Sequence, residues 1–108
     1  MRNEAVEKIF EHCANVVDKK NTDYGRPDDF YYNFRGAEEL GIPMWVGIAV
    51  RYQDKYRRLS NAVHQFNTTG KIVMKNETME DTLIDSINYL ALILATYNDW
   101  KNEKDEHR

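Results

Sequence analysis

Asp81 and Asp85 stand four residues apart and Asn88 three further on, so on a helix the three share one face. Two carboxylates so placed can hold Mg²⁺ or Mn²⁺, which prefer hard oxygen ligands, and such an ion can bridge phosphate oxygens and orient an attacking water. The same spacing also describes a solvated helix face with Asp81 capping its first turn. Arg51, Lys55 and Arg58 form a second stripe, basic this time, with Arg57 beside it. Guanidinium forks grip phosphate through paired hydrogen bonds, and an ammonium adds a point charge. Asp54 falls among these bases, either as part of a surface ion-pair lattice or as a third metal carboxylate. Asp23-Tyr24-Gly25, after Lys19, Lys20 and Asn21, is a third candidate. It suits a loop that stacks a base and hydrogen-bonds a sugar or phosphate, or a plain helix-ending turn.

Other chemistries are poorly served. His12, His64 and His107 share no metal-ligand spacing, and no phosphate-cradling glycine loop, dinucleotide fingerprint or Ser-His-Asp order is present. The single cysteine, Cys13, excludes an internal disulfide and a cysteine-rich zinc site; it lies on an apolar stripe and reads as a buried thiol. Tyr31, Tyr32, Phe34, Trp45 and Trp100 suit either a core or a base pocket.

These residues must be positioned by helices. Val6, Ile9, Phe10, Cys13, Val16 and Val17 recur at three- and four-residue spacing, predicting a helix from about Asn3, its N-cap, to Lys20. Residues 21–29, with Gly25 and Pro27, read as a loop, and Phe30 to Leu40 as a short helix stopped by a left-handed Gly41. Pro43 suits the first turn of a long helix to about Phe66, in which Gly47 marks a close backbone approach. Residues 67–70 form a turn and 71–75 an extended piece or loop. Thr78, with Asp81 three residues on, resembles a capping box opening a helix to about Trp100, with Met79, Leu83, Ile87, Leu90 and Leu94 as its apolar stripe. The expectation is a single all-α domain over residues 1–100, a bundle of three long helices and one short one completed by oligomerisation, with a frayed polar tail at 101–108.

Composition sets the outer limits. The chain has 108 residues, 42% hydrophobic and 31% charged, a globular balance for one domain. A net charge of −3 argues against general nucleic-acid binding, which needs a basic excess. No apolar run approaches the roughly 20 residues of a membrane span. Met1-Arg2-Asn3-Glu4 lacks the apolar core of a signal peptide, so a cytoplasmic location is expected.

Read in order, Asp23-Tyr24-Gly25, Phe30, Glu38-Glu39-Leu40-Gly41, Arg51-x-x-Asp54-Lys55-x-x-Arg58-Leu59 and the block from Asn76 to Tyr89 form a recognisable series. It resembles the phage-associated family called nucleotide modification associated domain 1, over about Lys19 to Leu94, most of the chain. That family is similar in turn to MazG-type all-α nucleoside triphosphate pyrophosphohydrolases. The resemblance implies a phage-encoded, metal-dependent enzyme acting on a (deoxy)nucleoside triphosphate in the host cytoplasm. Asp54, Asp81 and Asp85 would hold Mg²⁺ or Mn²⁺ and serve catalysis; Asp23, Tyr24, Arg51, Lys55, Arg58, Asn88 and Tyr89 would bind the nucleotide. MazG-type enzymes normally carry closely spaced glutamates on the facing helix, where this chain offers Asp54 amid four basic residues. The alternative is a non-catalytic protein that needs no metal and sequesters a nucleotide, a cyclic immune signal for example. A third reading is a helical adaptor whose apolar stripes serve only folding and oligomerisation, and a homo-oligomer is expected in every case.

Overall fold

The computed structural model describes residues 1–106, and the fold is all-α. Asn3, in extended conformation, accepts the Val6 N–H on Oδ1 at 3.1 Å and opens α1, Glu4–Tyr24, with Glu4 and Glu7 at the positive end of the helix. α1 runs past Lys20 through the expected loop start, because nothing in residues 21–24 breaks a helix. Thr22 turns its hydroxyl back onto the Asp18 carbonyl, and Gly25 finally closes the helix by donating its N–H to Asn21.

The short helix expected over Phe30–Leu40 is instead a 3₁₀ turn, Tyr32–Phe34, followed by a single-turn helix α2, Gly36–Glu39. Asp29 causes the break. Its carboxylate accepts the Tyr31 N–H at 3.1 Å and two bonds from the Arg35 guanidinium, each at 3.0 Å, which pins the chain in a turn. Gly41, at φ 76°, ends α2 in the left-handed region as expected.

Pro43 is the N-cap of α3, Met44–Thr69, rather than a first-turn residue, and a left-handed Gly70 closes it three residues beyond the expected end. Gly47 is the expected close approach: a Cβ there would stand 2.5 Å from the Ala37 Cβ, so α2 lies directly on α3. Thr78 caps the last helix by accepting the Asp81 N–H at 3.0 Å. This helix, α4, Met79–Glu106, extends six residues past Trp100, so residues 101–106 are helical where a frayed tail was expected. Lys104 contributes by lying over the Trp100 ring near the negative end of the helix. His107 lies outside the described residues.

α3 and α4 lie side by side as the principal packing, and α1 lies against α4. Ile48, Ala62 and Thr82 are buried between the long helices, and Trp45, Tyr97 and Trp100 stack edge-on at one end. The α4 face turned to α3 is partly polar, with Thr82 and Thr96 buried and their hydroxyls satisfied. The expected apolar stripe of α4 faces largely outward: Leu83, Leu90 and Leu94 are 40%, 49% and 60% exposed. On α1 only Cys13 of the apolar stripe is buried, while Val6, Ile9 and Phe10 are exposed. Among the described residues no helix is long and apolar enough to cross a membrane.

Candidate functional site

Four segments converge on one cleft of about 280 Å³. The extension of α1 is what builds its first wall, since Val17, Lys20, Asn21 and Tyr24 recur at three- and four-residue spacing only if the helix continues to Tyr24. The Asp29–Arg35 clamp holds the following loop so that Phe30, Asn33 and Phe34 form the second wall. Arg51 of α3 enters from the third side. Its Nη2 donates to the Asn33 carbonyl at 3.1 Å, and its guanidinium lies 4.9 Å from the Phe34 ring centroid, which fixes both loop and side chain. Asp85, Asn88, Tyr89 and Leu92 share one face of α4 and make the floor.

Charge is concentrated beside Asp85. Its Oδ1 accepts from Lys20 Nζ at 2.8 Å and its Oδ2 is 3.1 Å from Lys55 Nζ. Lys55 also donates to Glu77 Oε1 at 2.6 Å. Glu77 Oε2 accepts the Thr82 hydroxyl and lies 3.7 Å from Arg58 Nε. Burial works to raise the Asp85 carboxyl, but hydrogen bonds from Lys20 and Lys55 outweigh it and leave the group below its ordinary range. Burial likewise works to lower Lys55, and its bonds to Glu77 and Asp85 hold it above the ordinary lysine range. Lys20–Asp85–Lys55–Glu77 is thus a chain of alternating charge joining α1, α4, α3 and the segment just before α4.

The structure therefore brings together Tyr24, Arg51, Asp85, Asn88 and Tyr89 in the cleft, with Lys55 directly behind Asp85. It does not bring Asp54, Asp81 and Asp85 together. Asp54 pairs with Arg58 at 3.1 Å on an exposed part of α3, and Asp81 is exposed in the first turn of α4. Asp23 is exposed on the last turn of α1, outside the cleft lining. Arg58 belongs to a second groove with Asn61, Gln65 and Met74. Among the described residues no group of three histidine, cysteine or acidic side chains is placed to hold a metal ion.

Compared with protein-family models, curated proteins and solved structures, the chain matches none. Sequence reasoning did not assign Lys20, Asn21, Phe30, Asn33, Phe34 or Glu77 to the site. For the α1 pair the available signal was their helical spacing from Val17. For Phe30 and Phe34 it was the density of aromatics after Gly25. Of the aromatics left between core and pocket, Phe34 lines the cleft, Trp45 and Trp100 pack with Tyr97, and Tyr32 lies under Arg26 at 4.1 Å. The donors present do not suit a resident divalent ion. Both oxygens of Asp85, the one acidic group in the cleft, already face ammonium groups, and the other two expected carboxylates lie elsewhere.

Proposed function

We propose that this cleft binds a phosphorylated nucleotide and holds it without metal-dependent hydrolysis. The observation that carries the reading is the meeting of aromatic walls and cationic heads in one cavity: Tyr24, Phe30 and Phe34 beside Lys20 and Arg51. Aromatic faces stack a base whatever its identity, and the amides of Asn21, Asn33 and Asn88 offer donors and acceptors to its edge or to the sugar. Arg51 and Lys20 supply charge-assisted hydrogen bonds to phosphate. A volume of about 280 Å³ lies just below the roughly 300–1,000 Å³ of typical ligand sites, and so favours a ligand no larger than a single nucleotide.

A protein of this kind acts by withholding its ligand from other users, in keeping with the resemblance to a phage nucleotide family and with a cytoplasmic site of action. The exposed apolar stripes of α1 and α4 support a homo-oligomer. Calorimetric titration with nucleoside mono-, di- and triphosphates and cyclic nucleotides tests the binding. The expected result is stoichiometric uptake, with intact nucleotide recovered after denaturation. Arg51→Ala should weaken binding about 10- to 100-fold, as loss of a charge-assisted contact does. Multiple turnovers to monophosphate and pyrophosphate with Mg²⁺, abolished by Asp85→Asn, would replace this reading with the pyrophosphohydrolase.

A further inference from the structure

Glu77 and Asp85 converge on one point, and that point is occupied by the side chain of Lys55. Nζ stands 2.6 Å from Glu77 Oε1 and 3.1 Å from Asp85 Oδ2, with the three side chains 12%, 17% and 16% exposed. Two carboxylates so withdrawn from water need a positive charge between them. A divalent ion is one way to supply it; here α3 supplies it covalently. The remaining oxygens are also engaged, Asp85 Oδ1 by Lys20 and Glu77 Oε2 by the Thr82 hydroxyl. The arrangement is therefore complete as it stands and leaves no vacant oxygen pair facing the cleft.

We infer that the Lys55 ammonium takes the place of a divalent cation between Glu77 and Asp85, so that the cleft receives its nucleotide free of metal. The cation position does not depend on the nucleotide-binding reading; the consequence for the ligand does. Lys20, Arg51 and Lys55 against Asp85 and Glu77 leave one net positive charge. That charge balances a cyclic phosphodiester and falls within about one unit of a nucleoside monophosphate, which carries about −1.5 to −2 at neutral pH. It falls far short of a metal-free triphosphate, whose further anionic groups would meet the Asp85 carboxylate unshielded. The ligand class is thus a nucleotide of low phosphate charge.

Mn²⁺ is the probe for the first half, followed by electron paramagnetic resonance on the full chain without nucleotide. Wild type should show no tight site. Lys55→Met should gain one Mn²⁺ per chain, and the added change Glu77→Gln should remove it. Tight, stoichiometric Mn²⁺ binding by wild type would overturn the inference, as would a Lys55→Met protein with wild-type circular dichroism that binds none. Wild type alone provides a second measurement should Lys55→Met not fold. By calorimetry in EDTA, adenosine monophosphate or its cyclic 3′,5′ form should bind at least about tenfold tighter than adenosine triphosphate, and Mg²⁺ should leave that affinity within about twofold. A tenfold gain on adding Mg²⁺, or a preference for triphosphate in EDTA, would also overturn it. Absence of any nucleotide binding would sink the proposed function while leaving the Mn²⁺ result to decide the role of Lys55.

Discussion

Asp85 touches both lysines and lines the cleft, so the charge state of this one carboxyl governs the site. Its folded-state value lies below the ordinary carboxylate value of about 3.9, so folding favours the ionised form. The resulting stability is present at neutral pH and is lost as acid protonates the group, below about pH 4. Lys55 is the opposite case: raised by its carboxylate partners, it contributes below about pH 10.4 and loses that contribution in stronger alkali. Asp85→Asn should cost about 1–3 kcal/mol at neutral pH, because Lys55 and Lys20 lose a charged acceptor. Thermal melts followed by circular dichroism should show that deficit constant through the neutral range, shrinking as the pH falls below about 4 and gone only once acid passes the lower folded-state value and protonates Asp85. A deficit that does not change with pH would show the lysine bonds to be irrelevant to stability. Asp85, Arg51 and Tyr24 were legible in the sequence because charge and aromatic type at helical spacing point to phosphate and base. Glu77 was not. It precedes α4, so no periodicity connects it to Asp85, and only the fold turns it onto Lys55.

At the scale of elements, capping chemistry carried the sequence reading. Asn3, Gly41 and Thr78 all act as their residue types predict, since each satisfies or redirects backbone groups locally. The ends of α1 and α4 ran further than expected, because polar residues without Gly or Pro do not stop a helix that tertiary contacts already hold. The break between Tyr32–Phe34 and α2 was hidden for a different reason: it depends on Arg35 reaching back six residues to Asp29. Gly47 offers a quantitative check on how α2 seats on α3. Gly47→Ala should gain about 1 kcal/mol in helix propensity yet lose about 1–3 kcal/mol to the collision with Ala37, a net loss. Gly36→Ala, with open space around its Cβ and no positive φ, should instead be neutral or stabilising by up to about 1 kcal/mol. Urea unfolding should place Gly47→Ala below wild type and Gly36→Ala level with it or above it. Equal behaviour would mean that α2 does not rest on α3 at Gly47.

The whole molecule has more apolar surface than one chain covers. Its radius of gyration is 16.4 Å, against about 13 Å for a compact domain of this length, and it measures 53 × 32 × 31 Å. Sequence periodicity identified the apolar residues of α1 and α4 but could not say what they face, because one stripe serves a core and an interface equally well. The answer lies in a broad apolar groove between the two helices, lined by Phe10, Ala14, Leu90 and Leu94. Its far side shares Val17, Phe30, Asn88 and Leu92 with the candidate cleft. A second copy seated in that groove would bury the outward stripes and stiffen the cleft wall they share. Light scattering at micromolar concentration should therefore give a mass at least twice the 12.8 kDa of one chain. Leu94→Glu places a charge on the exposed side of the groove, at a residue that does not line the cleft, and should shift the protein towards monomer. If the shared wall couples the two surfaces, nucleotide affinity should fall as the oligomer dissociates and recover with rising protein concentration. A wild-type monomer, or a Leu94→Glu oligomer of unchanged mass, would remove the interface; unchanged affinity in a dissociated variant would remove only the coupling between interface and cleft.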